Sequence, residues 1–173
     1  MIIKAIGTLL TVAAAWLYGY YTAEYSRKRI EELENFKRGF ALFGSETLYA
    51  GGMLCEVFKS VAERTEGTAK AVFETAAAML YEKTAEGAGA VWGICLEDKT
   101  KNSFLAEEDI KSLLAFGKCL GFADRQCQGA NADMAVEYIN TKQEELRKKY
   151  LTEAKLYRSL GVLTGLLAAV VIF

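Results

Sequence analysis

Apolar residues follow two rhythms along this chain. At both ends they run almost without interruption, and between the ends they return every three or four positions, the spacing of one buried face on an α-helix. Ile30, Leu33, Phe36, Phe40 and Phe43 form such a stripe with Glu31, Glu32 and Lys37 off it, which predicts a helix continuing from the N-terminal run to about Tyr49. Ala50, Gly51 and Gly52 break it, because adjacent glycines each cost about 1 kcal/mol in a helix and allow the chain to reverse. A second helix starts near Met53 and buries Leu54, Val57, Phe58 and Val61; Thr65, Glu66 and Gly67 end it. Thr68 caps a third, carrying Val72, Phe73, Ala76, Met79 and Leu80, and a fourth from about Thr84 presents Ala88, Val91, Trp92 and Cys95.

The polar stretch from Glu97 to Ser103 reads as the longest loop. Glu107, Glu108 and Asp109 then fill the first turn of a fifth helix, where the helix dipole favours negative charge, and Ile110, Leu113, Leu114 and Leu120 form its buried face. Gly121 closes that helix, Phe122 and Ala123 turn the chain, and Asp124 caps a last helix running past Lys149 into the C-terminal apolar run. With no proline and no alternating strand pattern, the fold class is all-α: a bundle of about six helices whose first and last continue into the terminal apolar segments.

Those segments have membrane dimensions. Ala5 to Ala23 carries no formal charge, and nineteen helical residues cover about 28 Å, close to a hydrocarbon core of about 30 Å. Ser159 to Phe173 is also uncharged; its fifteen residues reach about 22 Å, so that helix recruits Leu156 and Tyr157 with Arg158 snorkelling. A cleaved secretory signal is the alternative for the first segment, but the run is long, ends in Trp16, Tyr18, Tyr20 and Tyr21 like an interfacial aromatic belt, and flows into a charged helix. Arg27, Lys28, Arg29, Lys37 and Arg38 follow the first span, and Arg147, Lys148, Lys149, Lys155 and Arg158 precede the second, which places the middle in the cytoplasm. The expected division is a transmembrane helix over 1–23, a cytoplasmic bundle over 24–157 and a second transmembrane helix over 158–173. Gly7, Thr11, Ala15 and Gly19 recur every four residues on the first span, and Gly161, Gly165 and Ala169 on the second. Such small-residue stripes let helix backbones pack in lipid, within one molecule or in a homo-oligomer.

Charge and chemistry narrow the function. A net charge of −1, with the basic residues gathered at the membrane edges, argues against a nucleic-acid partner. Cys55, Cys95, Cys119 and Cys127 are too far apart for a CxxC-type metal motif, and a reducing cytoplasm disfavours disulfides, so they read as free, mostly buried thiols. The absence of histidine removes His-dependent hydrolases, His-ligated zinc and His general bases. Gly87, Gly89 and Gly93 lie in an Ala-rich helical context with no preceding strand, not in a phosphate loop. No cofactor, metal or small-molecule substrate is expected, and the chain reads as a non-enzyme. The rival is a membrane enzyme using Glu46 or Asp124 with an unseen cofactor.

The run Phe116, Gly117, Lys118, Cys119, Leu120, Gly121, Phe122, Ala123, Asp124, Arg125, Gln126, Cys127, Gln128 resembles the signature of the stage III sporulation protein AB family. Glu46 with Tyr49 before a small-residue turn, Leu105 with Glu108 and Asp109, and the closing stretch from Tyr157 to Leu163 match that pattern in order and spacing. The chain departs from it at Gly51 and Gly52, where a proline is common, and at Ala123, in place of a serine. The resemblance implies a bundle similar to the cytoplasmic domains of F-type platform proteins of type II secretion and type IV pili. It further implies a place in a channel complex between mother cell and forespore, required for sporulation. The spans would sit in the outer forespore membrane and the bundle in the mother-cell cytoplasm, beside the ATPase stage III sporulation protein AA.

Within the signature, Phe116, Gly117, Leu120, Gly121, Asp124, Arg125 and Gln128 have two readings. They let the fifth helix pack and end while Asp124 caps the next, or they dock a partner. Glu107, Glu108 and Asp109 read as a solvated first turn and, as the alternative, as a candidate docking face for a basic partner; they are not read as a metal site. The expected protein is a platform subunit coupling a cytoplasmic motor to membrane channel components; a tether without a motor is the alternative.

Overall fold

The computed structural model describes the backbone of residues 2–49, 52–83, 87–120 and 124–172, and side chains of residues 7, 17, 20–48, 52–83, 87–120 and 124–150. Six helices and no strand are present among the described residues: α1 (Ile2–Tyr49), α2 (Leu54–Glu63), α3 (Gly67–Glu82), α4 (Ala88–Lys99), α5 (Glu107–Gly117) and α6 (Arg125–Ile172). The chain divides into two compact units, one of Arg29–Gln143 and one of Met1–Lys28 with Glu144–Phe173.

The Arg29–Gln143 unit is built around an aromatic core. Phe36, Phe40 and Phe43 of α1 meet Phe58 of α2, Phe73 of α3, Trp92 of α4 and Phe116 of α5, all essentially inaccessible to solvent. Ring centroids lie 4.5 Å apart for Phe40 and Phe116, 5.1 Å for Trp92 and Phe116, and 5.2 Å for Phe73 and Trp92. Such pairs contribute about 0.5–1.5 kcal/mol each beyond their buried area. The α1 stripe supplies three of these rings because positions 36, 40 and 43 share one helical face. From α6, Ala132 and Ile139 complete the core.

Several boundaries differ from the sequence expectation, each for a local reason. Helix α3 begins at Gly67, whose φ of +59° is open to glycine, and Glu66 holds the N-cap position. Thr68 is therefore not a cap; its hydroxyl instead donates to Glu32 Oε1 at 3.3 Å. Helix α4 starts at Ala88 after Gly87, where φ is +91°. It continues through Lys99, so the loop after it begins at Thr100 and not at Glu97. Thr100 donates its hydroxyl to the Leu96 carbonyl at 2.7 Å, and Ser103 donates to the Thr100 carbonyl at 2.8 Å, closing the helix end. Helix α5 ends at Gly117, so Leu120 is buried from the following turn and not from a helical face.

In the other unit, Arg27 pairs with Glu24 at 2.8 Å, one turn apart on α1. Tyr20, Tyr21 and Tyr25 are exposed. Among the described residues no helix is long and apolar enough to cross a membrane. The side chains of both expected spans lie mostly outside the described residues, as do Thr11, Ala15, Gly19, Gly161, Gly165 and Ala169 of the small-residue stripes. At Gly7 an added Cβ would meet no atom within 4 Å.

Candidate functional site

The signature segment is where α5, α6 and α4 come together. Phe116 is buried against Phe40 and Trp92, and its carbonyl accepts a 2.7 Å hydrogen bond from Asn131 Nδ2 of α6. Gly117 packs where any side chain would collide: its own added Cβ would lie 2.7 Å from Trp92 Cδ1, and one on Gly89 would lie 2.6 Å from the Gly117 carbonyl oxygen. Helices α4 and α5 thus touch backbone to backbone at a glycine pair. One turn earlier, Trp92 Nε1 donates to the Leu113 carbonyl at 2.9 Å, satisfying the indole in the core.

Past the turn, Asp124 Oδ1 accepts the Gln126 amide at 2.9 Å and caps α6, while Gln128 Nε2 reaches the Leu120 carbonyl at 3.5 Å. Arg125 is exposed, and Gly121 lies outside the described residues. Phe116, Gly117, Leu120 and Asp124 thus each have a structural task here. Replacing Asp124 with Ala should cost about 0.5–2 kcal/mol through loss of the cap; an unchanged denaturation midpoint would show that the cap carries none of the stability.

The acidic first turn of α5 is split by burial. Glu107 points outward, its side chain 82% exposed and paired with Lys111 at 2.7 Å. Asp109 is fully buried and corrects the expectation of a three-residue docking face. Its two oxygens take Arg29 Nε at 2.7 Å and Nη2 at 2.9 Å, a bidentate pair that ties α5 to α1. Asp109 Oδ2 also accepts the Ala106 amide at 3.0 Å. Glu108 stands between, accepting Arg29 Nη2 at 2.8 Å and Lys142 Nζ of α6 at 2.9 Å. Burial works against the Arg29 charge, and the hydrogen bonds it donates to Asp109 and Glu108 outweigh it, so its pKa is raised. The same Arg29 bond, then Lys142, lowers the Glu108 pKa; what Glu108 contributes is present above the usual carboxylate range and lost as pH falls through its folded value.

Sequence reasoning placed Arg29 with the membrane-flanking basic residues and missed this cluster. The signal was there: Arg29, Leu33, Phe36 and Phe40 share one helical stripe, as do Asp109, Leu113 and Phe116, so each charge sits at a core position and needs a partner. Gln143 was also missed. It is buried on α6 and donates to the Ile30 carbonyl at 3.1 Å and Glu34 Oε2 at 3.0 Å while accepting Lys37 Nζ at 3.2 Å.

Glu32 has the opposite electrostatics to Glu108. Burial raises its pKa, against hydrogen bonds from the Phe104 amide at 3.2 Å and the Thr68 hydroxyl. A carboxyl whose folded pKa is raised penalises folding progressively as pH climbs from its unfolded value through its folded one. Glu32→Gln should therefore gain stability relative to the parent as pH rises from about 4 to about 7; a constant difference in melting temperature across that range would contradict it.

Both acids of the enzyme alternative have structural partners. Glu46 accepts the Ser60 hydroxyl at 2.7 Å and pairs with Arg64 at 3.2 Å, and Asp124 caps α6. Of the four thiols only Cys95 is buried, with its pKa raised by that burial; Cys55 and Cys119 are half-buried and Cys127 is exposed, which corrects the expectation of mostly buried cysteines.

Comparison with known proteins gives concordant results. The family model for stage III sporulation protein AB matches residues 4–173. Stage III sporulation protein AB of Bacillus subtilis (strain 168) is 21% identical over 165 residues, covering 95% of this chain and 96% of that one. A solved structure of a stage III sporulation protein AB superposes with a TM-score of 0.65 at 17% identity, covering 72% of this chain and 97% of that chain, a likeness of fold. With the family model matching residues 4–173, almost the whole length, the chain belongs to the stage III sporulation protein AB family.

Proposed function

We propose that this protein is a non-enzymatic platform subunit of a sporulation channel complex. It joins a cytoplasmic ATPase, stage III sporulation protein AA, to membrane channel components. The helical bundle occupies the mother-cell cytoplasm, and the apolar ends are anchored in the outer forespore membrane through small-residue packing. What carries the reading is that the family match extends through both apolar ends as well as the bundle. The disposition of charge supports it: Arg29, Asp109, Glu108, Lys142 and Glu46 hold helices together, so the charged groups act as ties between elements.

Glu107 is the acid of the α5 first turn that best tests docking, since Glu108 and Asp109 are committed to Arg29. The full chain in detergent micelles should retain the purified ATPase, and Glu107→Lys should weaken retention severalfold, because a reversed rim charge slows encounter, while the fold is kept and melting falls only by the small loss of the Lys111 pair and the favourable dipole contact. Failure of the parent protein to retain the ATPase would remove the motor and leave a tether.

A further inference from the structure

Helices α2 and α3, joined by the turn after Glu63, leave an open groove of about 570 Å³ between them. Small apolar groups line it, the buried Ala62 and Ala77 and the exposed Ala78, so little side-chain volume fills the space between the two helices. Its lining also includes Glu56, Glu63, Glu74 and Glu82 with Lys59 and Lys70, four carboxylates to two ammonium groups. Among the described residues Glu63, Glu74 and Glu82 form no ion pair, in contrast to the acids committed at Arg29 and Arg64. Tyr81, a large aromatic side chain 81% exposed, also lines the groove.

We propose that this groove docks a basic amphipathic helix of a protein partner. An apolar trough between two helices accepts the apolar stripe of a third, whose side chains at i, i+3 and i+4 insert as anchors. An acidic rim, of which Glu63, Glu74 and Glu82 form no ion pair among the described residues, selects lysine and arginine on the flanks of that helix and speeds encounter. Tyr81 is the type of residue that becomes an anchor once a partner covers it, since aromatic side chains dominate binding energy at buried interface centres. The same negative rim disfavours an anionic membrane surface and nucleic acid, both of which require positive charge. The proposal rests on the reading that the bundle docks another protein, and it holds whether or not that protein is the ATPase.

The test uses the full chain. A photoreactive benzoylphenylalanine at the exposed Ala78 position, irradiated in sporulating cells, should cross-link to a segment of another protein with an excess of Lys and Arg and an apolar stripe at helical spacing. In parallel, an 18-residue Lys/Leu amphipathic peptide and its Glu/Leu counterpart are titrated against the chain in zwitterionic nanodiscs, with empty nanodiscs subtracted. The Lys/Leu peptide should bind at least tenfold more tightly than the Glu/Leu one, and the double substitution Glu63→Lys, Glu74→Lys should abolish that preference without changing helicity. Cross-linking to lipid, to a second copy of this chain or to an acidic segment would overturn the proposal, as would no cross-link or equal binding of the two peptides. A basic helical segment from a protein other than the ATPase would uphold this groove and remove the motor reading. ATPase retention undiminished by the double substitution, with no cross-link at Ala78, would do the reverse.

Discussion

Asp109→Ala should be among the most damaging single changes in the bundle, lowering unfolding free energy by up to about 3–5 kcal/mol, because it removes the buried, bidentate partner of Arg29 and leaves only the half-exposed Glu108 to balance the guanidinium. The Arg29 side chain is only 12% exposed and Asp109 is fully buried, so water cannot replace the lost carboxylate. Glu108 would remain on Arg29 Nη2, but the guanidinium Nε would lose its acceptor and the Ala106 amide would lose the bond that starts α5. Removing both charges at once, as Arg29→Met with Asp109→Leu, should cost far less than either single change, because desolvation of the pair then disappears along with its attraction. Denaturant midpoints of the three variants decide the matter. A loss below about 1 kcal/mol for Asp109→Ala would place the pair in effectively aqueous surroundings.

Gly89→Ala should be the most disruptive of the small-residue changes. Its Cβ would sit 2.6 Å from the Gly117 carbonyl oxygen, and a backbone atom cannot rotate aside as a flexible side chain does. Helices α4 and α5 would have to separate, straining the Trp92–Leu113 hydrogen bond at the same time. Overpacking of this kind costs about 1–3 kcal/mol. Gly117→Ala should behave similarly, being blocked by Trp92 Cδ1 at 2.7 Å and the Gly89 oxygen at 3.3 Å. Gly93→Ala provides the contrast: its Cβ would first meet Leu114 Cδ2 at an ordinary 3.8 Å, and alanine is favoured over glycine within a helix by about 1 kcal/mol. Gly93→Ala should therefore leave stability unchanged or raise it. Equal melting temperatures for the Gly89 and Gly93 variants would mean that the helices yield at the glycine contact.

These two expectations mark the limit of what periodicity conveys. The α1 stripe of Leu33, Phe36, Phe40 and Phe43, the buried Val57, Phe58 and Val61 of α2 and Val72, Phe73 and Ala76 of α3, and the Asp124 cap were legible, because each is encoded within three or four residues of itself, whereas Leu54, Met79 and Leu80 of the expected faces are only half-buried. Positive-φ starts at Gly67 and Gly87 were less legible, since a glycine in sequence reads equally as a helix end or a helix beginning. The signature run was recognisable as a unit, yet its residues did not say which of them face the core.

Local sequence by itself determined that the chain is helical, where its helices lie to within a few residues, and that its two ends are apolar, since these depend on near-neighbour spacing and composition. Tertiary structure decided which charges are structural. Glu107 and Asp109 are two positions apart in one acidic run, but the helix turns Asp109 inward to Arg29, eighty residues away in the chain, and leaves Glu107 to solvent. It likewise decided that Gly89 and Gly117 are one contact and Gly93 is not part of it. A charge becomes costly, and a glycine indispensable, only when another helix arrives to exclude water or side-chain volume, and that arrival is a property of the packed bundle.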